Sequence, residues 1–267
     1  MLLPDKLARF DDLDPEDVKF LLCSLLSCSR SELPFRDSLN SYQIDLLRSW
    51  LIRLQNGEPP QYITNKAWFY GLELYVDNRV LIPRFDTEPL VEATLKYLKD
   101  DAHLLEIGVG SAAISLALKS RKPTIKVTAT DISPDVLQVA KQNSLALGLD
   151  IDLVLADLFP SRAGVFDVIV SNPPYISDHE YQYLHSRVKD YEPIGALLAD
   201  HDGMIFYERI LAGAPQYLVP GGILALEHGY NQQSQLQSLT ESTGFEILQK
   251  GKDLAGLDRF LILKLQK

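Results

Sequence analysis

Asn172-Pro173-Pro174-Tyr175 follows directly on the apolar run Phe166-Asp167-Val168-Ile169-Val170-Ser171. The run is short, rich in β-branched residues and stopped by a proline pair, which predicts a buried strand of an α/β sheet. Ligands of such sheets sit beyond the carboxyl ends of the strands, so the four residues should face a crevice. Each proline fixes its own φ and drives the residue before it out of the helical region, which makes the loop stiff. A stiff loop offering a carboxamide oxygen, unpaired carbonyls and an aromatic ring can hold a planar group bearing an NH2. The oxygens would accept both hydrogens while the ring stacks on the face. Asn172, Pro173 and Tyr175 are therefore candidate catalytic residues, and Asn172 to Tyr175 with Pro174 a candidate substrate grip. An Asn-Pro turn alone is a weak signal, and its weight comes from what lies upstream.

Leu104-Leu105-Glu106-Ile107-Gly108-Val109-Gly110-Ser111-Ala112-Ala113 reads as strand, glycine turn and helix. Gly108 and Gly110 allow the close backbone approach a nucleotide cofactor needs. Asp131 ends the next strand, where an acid can accept from both ribose hydroxyls. A lone G-x-G is weak, and the same glycines could merely ease strand-to-helix packing; glycine turn and acid together, each on a strand end, carry more. Two cofactors compete. A dinucleotide would set its pyrophosphate at the helix start, and Gly108, Gly110 and Ala113 formally meet its pattern. S-adenosylmethionine has no phosphate: Glu106 could meet its ammonium, Asp157 its adenine amino group, and Leu158 or Phe159 the ring. A nicotinamide enzyme also needs a hydride-transfer acid, and the five histidines form no such constellation; His179 and His185 read as surface residues.

These residues need a frame to hold them. From His103 strands and helices alternate, which predicts a mostly parallel sheet. Strands are expected at 104–107, 126–130, 152–156, 167–171 and 223–227, with helices near 111–120, 134–147, 203–218 and 231–242. Segments 245–249 and 259–264 have no helix between them, so an antiparallel pair should close one edge. Upstream, Asp14-Pro15-Glu16-Asp17 starts one helix with Leu21, Leu22, Leu25 and Leu26 as its stripe. A second runs from about Asn40 to Leu54. Between 66 and 82 short apolar runs alternate, with Asp77-Asn78 as the hairpin signal. A helix with Asp86 or Thr87 as cap is expected through about Lys99. The division is a helical docking domain over 1–62, a β-hairpin linker over 63–84 and the sheet domain over 85–267. Arg84 and Glu88 fit an ion pair one helical turn apart, and Glu227 a strand-end charge; all three stay outside the site.

The chain has 267 residues, 46% hydrophobic and 23% charged, as in an ordinary globule. A net charge of −10 with no basic run argues against a nucleic-acid substrate and fits a basic protein partner or a cationic cofactor. No apolar stretch is long enough to span a membrane. Met1-Leu2-Leu3-Pro4-Asp5 has neither the basic flank nor the apolar core of a secretory signal. Cys23 and Cys28, read as two positions on different faces of one helix, predict reduced thiols, no metal site and a cytoplasmic protein.

Together these residues resemble the HemK/PrmC family of protein-(glutamine-N5) methyltransferases, within the class I S-adenosylmethionine-dependent enzymes. The likeness runs from about Gln61 to the end. It includes Gln61-Tyr62-Ile63, Val80-Leu81-Ile82-Pro83-Arg84, Asp86-Thr87-Glu88, the Gly108–Ala112 turn, Ser133-Pro134 and Asp157-Leu158-Phe159. It continues through Val170–Ile176, Gly221-Gly222, Glu227, Gly229, Ala255-Gly256 and Asp258-Arg259. The Asn-Pro-Pro-Tyr motif alone is shared with adenine-N6 methyltransferases; the I-P-R-x-D-T-E segment narrows the choice. The resemblance implies a Rossmann-like α/β fold with a small helical domain and linking hairpin. A monomer that binds no nucleic acid directly is expected. Its substrate would be the Gly-Gly-Gln glutamine of class I peptide chain release factors, in translation termination. By the same resemblance, Gly108, Val109, Gly110, Ser111 and Ala112 line the methionine part of S-adenosylmethionine, Asp131 the ribose, Leu158 the adenine side and Asn172 to Tyr175 the glutamine amide; Asp157 and Asn172 complete the expected cofactor-binding set. Ala112 stands where glycine is usual and Phe85 where proline is usual, which predicts at most altered cofactor affinity. A ribosomal-protein glutamine, an adenine of nucleic acid, or a non-catalytic binding role are the rivals.

Overall fold

The computed structural model describes residues 10, 12–36, 38–161 and 165–266, so the segment Met1–Asp5 lies outside the described residues. The chain divides into two compact units, residues 1–66 with 185–191, and 67–184 with 192–267.

In the first unit, Asp14 caps the helix Pro15–Leu26 by accepting from Glu16 N, with Pro15 in the first turn. Asn40 and Gln43 form a reciprocal capping box on the helix Ser41–Gln55. Leu21, Leu22, Leu47, Leu51 and Leu54 meet in one apolar cluster with Phe10 and Ile63. The helix Ser186–Tyr191 joins this unit: Arg187 pairs with Asp17, and Tyr191 OH donates to Asn56 O at 2.8 Å. Cys28 is not helical. The helix stops at Leu26 and Ser27 turns left-handed at φ 49°, so Cys28 N donates to Cys23 O at 3.0 Å, and both thiols are free.

The second unit begins with a hairpin, β1 (Ala67–Phe69) and β2 (Leu72–Leu74), whose turn is Tyr70-Gly71. Both turn residues have positive φ, 51° and 80°, which matches the twist of the flanking strands. The turn expected at Asp77-Asn78 is no hairpin. Asp77 accepts from Arg79 N and from its guanidinium, which closes a local turn, and residues 80–82 lie outside the strands.

The main sheet holds β3 (His103–Ile107), β4 (Lys126–Asp131), β5 (Asp152–Leu155), β6 (Phe166–Ser171), β7 (Leu218–Glu227), β8 (Phe245–Lys252) and β9 (Asp258–Leu265), in the order β5-β4-β3-β6-β7-β9-β8. All neighbours pair in parallel except those of β9, which runs antiparallel to β7 and β8. The expected α/β class and antiparallel edge are confirmed. Central strands are buried on both faces, which is why they read as continuous apolar runs. Strand order reverses between β3 and β6, and Ser171 Oγ donates to Ile107 O across that point at 2.8 Å. Crevices open at such a reversal.

The helix Pro134–Leu147 is set by its ends: Ser133 caps it and Gly148 leaves it at φ 64°. Inside it Asn143, 2% exposed, accepts from Tyr75 N and donates to Tyr75 O and Ser111 O. One carboxamide thus ties the chain after the hairpin to the glycine turn. The helix expected from Asp86 to Lys99 is shorter, Glu88–Leu95, preceded by a single 3-10 turn; Thr87 stands at its start but makes no capping bond. Among the described residues no helix is long and apolar enough to cross a membrane.

Candidate active site

A cavity of about 450 Å³ lies within the second unit, beyond the carboxyl ends of β3, β4, β5 and β6. Gly108, Val109, Gly110, Ser111, Asp131, Asp157, Leu158, Asn172, Pro173 and Pro174 all line it. Three residues singled out from the sequence, Ala112, Phe159 and Tyr175, do not. Ala112 adopts φ 65°, ψ 25° at the helix start and is fully buried. Its methyl joins the apolar core rather than the cavity. Left-handed backbone strains alanine by about 1–2 kcal/mol, but glycine there would lose a buried methyl and gain unfolded-state entropy. Ala112→Gly is therefore expected to leave stability within about 1 kcal/mol and cofactor affinity unchanged, read by denaturant titration and calorimetry.

Tyr175 is the second correction. Its ring packs into the core on the β7 side of the sheet instead of standing over the cavity. Its hydroxyl lies 3.5 Å from Glu227 Oε1 and 3.4 Å from Arg259 Nη1, and burial pushes the phenol's pKa up. The ring therefore cannot stack on a group in the cavity. Its backbone does position the loop: Tyr175 O accepts from Gln232 Nε2 at 2.9 Å, and a Cβ on Gly203 would sit 2.2 Å from the same oxygen. Gln232 Oε1 accepts in turn from Gly229 N at 2.9 Å.

The glycine turn spends its own amides. Gly108 N and Val109 N both donate to Thr130 O at 2.9 Å, and Gly110 N to Asp131 Oδ2 at 3.3 Å. Ser133 N donates to the other Asp131 oxygen at 3.1 Å. Burial raises the Asp131 pKa while these amides hold it down. Glu106 lines the cavity floor and accepts from Ser115 N, in the first turn of the helix Ala113–Arg121, at 2.9 Å. Burial, partly offset by Ser115, pushes its carboxyl from 4.5 up to about 8.

That shift has a sign. The folded state keeps a proton the unfolded chain gives up above pH 4.5, so stability falls as pH rises from there to about 8, where the full cost stands. Cofactor-free Glu106→Gln should be more stable than the parent at pH 9 by a few kcal/mol, with the gap closing at pH 5, in thermal melts at both values.

Asp157 and Arg209 form an ion pair at 2.7 Å at the cavity mouth. Leu158 is held at φ 66° by Thr130 Oγ1, which donates to its carbonyl at 2.6 Å. Phe159 stacks on Tyr217 with centroids 4.6 Å apart, outside the cavity. Arg84 pairs with buried Glu192, not with Glu88, which instead accepts from Tyr70 N at 2.7 Å. Asn172 Nδ2 donates to Thr87 Oγ1 at 3.3 Å, which leaves Oδ1 for the cavity. Thr87, Gln232, Asn143 and Glu192 are supports the sequence reading missed. For Thr87 the quoted Asp86-Thr87-Glu88 segment was a signal; for the others there was none.

A family model described as Methyltransferase small domain matches residues 85–189, and another described as PrmC N-terminal domain matches residues 6–64. The solved structure of a methyltransferase from Pyrococcus furiosus shares the fold, with a TM-score of 0.58 at 21% identity over 81% of this chain and 98% of that one. Fold and acid-lined cavity define a class I methyltransferase, an enzyme. Release factor glutamine methyltransferases of Clostridium acetobutylicum and Geobacter sulfurreducens are 39% and 37% identical, covering 76% and 91% of this chain and 74% and 87% of those proteins. The chain belongs to the release factor glutamine methyltransferase family.

Proposed function

We propose that this chain transfers a methyl group from S-adenosylmethionine to the side-chain amide nitrogen of the Gly-Gly-Gln glutamine in class I peptide chain release factors. It would act as a cytoplasmic monomer in translation termination, without binding nucleic acid directly.

The observation that carries the cofactor reading is the place of Glu106. In a dinucleotide site the first-turn amides of the helix face a pyrophosphate. Here an internal carboxyl already takes the Ser115 amide, and Asp131 lines the same cavity. The Asp131 carboxylate disfavours a phosphate and favours a cationic ligand, and an ammonium beside Glu106 would draw that carboxyl into its charged form. Glu106 would meet the ammonium, the Gly108–Ser111 backbone the methionine chain, Asp131 the ribose, and Asp157 with Leu158 the adenine. When bound, S-adenosylmethionine supplies an electrophilic methyl.

The protein supplies alignment. A carboxamide nitrogen is a poor nucleophile because its lone pair is delocalised into the carbonyl, so orientation for in-line attack is the main contribution. Asn172 Oδ1 and the Pro173 carbonyl each accept one amide hydrogen, and their hold strengthens as positive charge develops on nitrogen. The proton can leave after transfer, so no dedicated base is needed.

Incubation with methyl-labelled S-adenosylmethionine and, separately, release factor, ribosomal protein and DNA tests the reading. Label is expected in the release factor alone, and lost when its Gly-Gly-Gln glutamine is replaced. Label in the ribosomal protein or DNA instead would overturn it.

A further inference from the structure

A carboxamide has two ends of nearly the same shape and opposite hydrogen-bonding character, so the orientation of Asn172 decides what the cavity accepts. Its Nδ2 donates to Thr87 Oγ1 at 3.3 Å. Thr87, 4% exposed, stands where a helix is ordinarily capped, yet its hydroxyl makes no capping bond. Glu227, 1% exposed, has its carboxyl drawn down by the neighbouring Thr87 hydroxyl, and its Oε2 has no hydrogen-bond partner among the described residues. A threonine hydroxyl that accepts from Asn172 still has its own proton to give, and a buried carboxylate oxygen lacks a donor.

We propose that Glu227 and Thr87 form a relay that holds the Asn172 carboxamide with its oxygen toward the cavity, so that the site selects a neutral carboxamide over a carboxylate. The inference rests on the reading that Asn172 grips a glutamine amide. An ionised Glu227 only accepts, so Thr87 donates to it and accepts from Asn172. A protonated Glu227 donates to Thr87, whose proton then serves the Asn172 oxygen; the carboxamide reverses and turns its NH2 toward the incoming NH2. A glutamate side chain offers no hydrogens to the inward oxygen and is repelled by it.

The groups around Glu227 set when this happens. Arg259 on β9, itself held by Asp253, favours the ionised form, as does the Tyr175 hydroxyl; Asp86 before the helix opposes it. Tyr207 OH donates to the Glu227 carbonyl at 3.1 Å, and His228 follows in the chain with its Nε2 unpartnered. Burial outweighs the favourable contacts and pushes the carboxyl up to about 7. Turnover at saturating cofactor should therefore fall as pH drops through about 7.

The test compares Thr87→Val, which keeps the shape, with Thr87→Ser, which keeps the hydroxyl, in the full chain. Losing a buried hydrogen bond of about 1–3 kcal/mol should lower kcat roughly 5- to 150-fold in Thr87→Val, with cofactor Kd unchanged. Thr87→Ser should return kcat to near the parent value, and Glu227→Gln should lose the acid limb of the pH profile. Independently of turnover, carbon NMR of the cofactor-free protein should show the Glu227 carboxyl titrating at higher pH in Thr87→Val. Equal losses in both Thr87 variants, or a Glu227 midpoint that does not move, would overturn the relay. A parent protein that leaves the release factor unlabelled would overturn the functional reading instead, and the NMR titration would still decide the relay.

Discussion

Asn172→Ala is expected to cut turnover by at least ~100-fold, the scale of losing one preorganised acceptor at a developing charge. The alternative acceptors do not compensate. Pro173 and Pro174 carry no N–H and a fixed φ, so the loop cannot swing another oxygen into the vacated position. Gln232 Nε2 on Tyr175 O and the close approach of Gly203 also hold the loop from behind. Cofactor binding should be nearly unchanged, because Glu106 and Asp131 belong to other strands. Steady-state methyl transfer with calorimetric titration of the cofactor separates the two effects. Turnover near the parent value would remove Asn172 from the mechanism.

Asp131→Ala is expected to do the reverse, weakening cofactor binding by roughly 1.5–3 kcal/mol, the worth of a charge-assisted hydrogen bond, or about 10- to 150-fold in Kd. The carboxylate already accepts from Gly110 N and Ser133 N, which aims its remaining lone pairs at the cavity. Removing it also frees those two amides, so part of the loss could come from a relaxed glycine turn. Asp131→Asn keeps an oxygen for the amides and separates the contributions. Unchanged affinity in the alanine variant would refute the ribose assignment.

How much of this was legible in the sequence depended on distance along the chain. The glycine turn, Asp131 and the Asn172 loop each follow an apolar strand, and a strand's carboxyl end is visible locally. Thr87 meets Asn172 across 85 residues and Asn143 meets Tyr75 across 68; such convergence leaves no local mark. Tyr175 was misread because prolines fix φ but not the χ1 of the residue after them, and a hydroxyl with Glu227 and Arg259 within reach turns inward. The hairpin was misplaced because Asp77-Asn78 looks like a turn between strands, while Tyr70 hides a positive φ behind an aromatic side chain. Ala112 misled for a related reason: a left-handed residue sends its methyl where a sequence reading does not place it.

The return of residues 185–191 to the first unit means that one bond cut does not divide the molecule into its two bodies. A fragment ending at residue 66 would lack the strand of chain that supplies Arg187 to Asp17 and Tyr191 to Asn56. A fragment starting at residue 67 would carry that helix as an orphan. Between the Asn172 loop and Glu192, the polypeptide therefore leaves the second unit and comes back to it, so the Asn172 loop is followed in the chain by a segment of the helical unit.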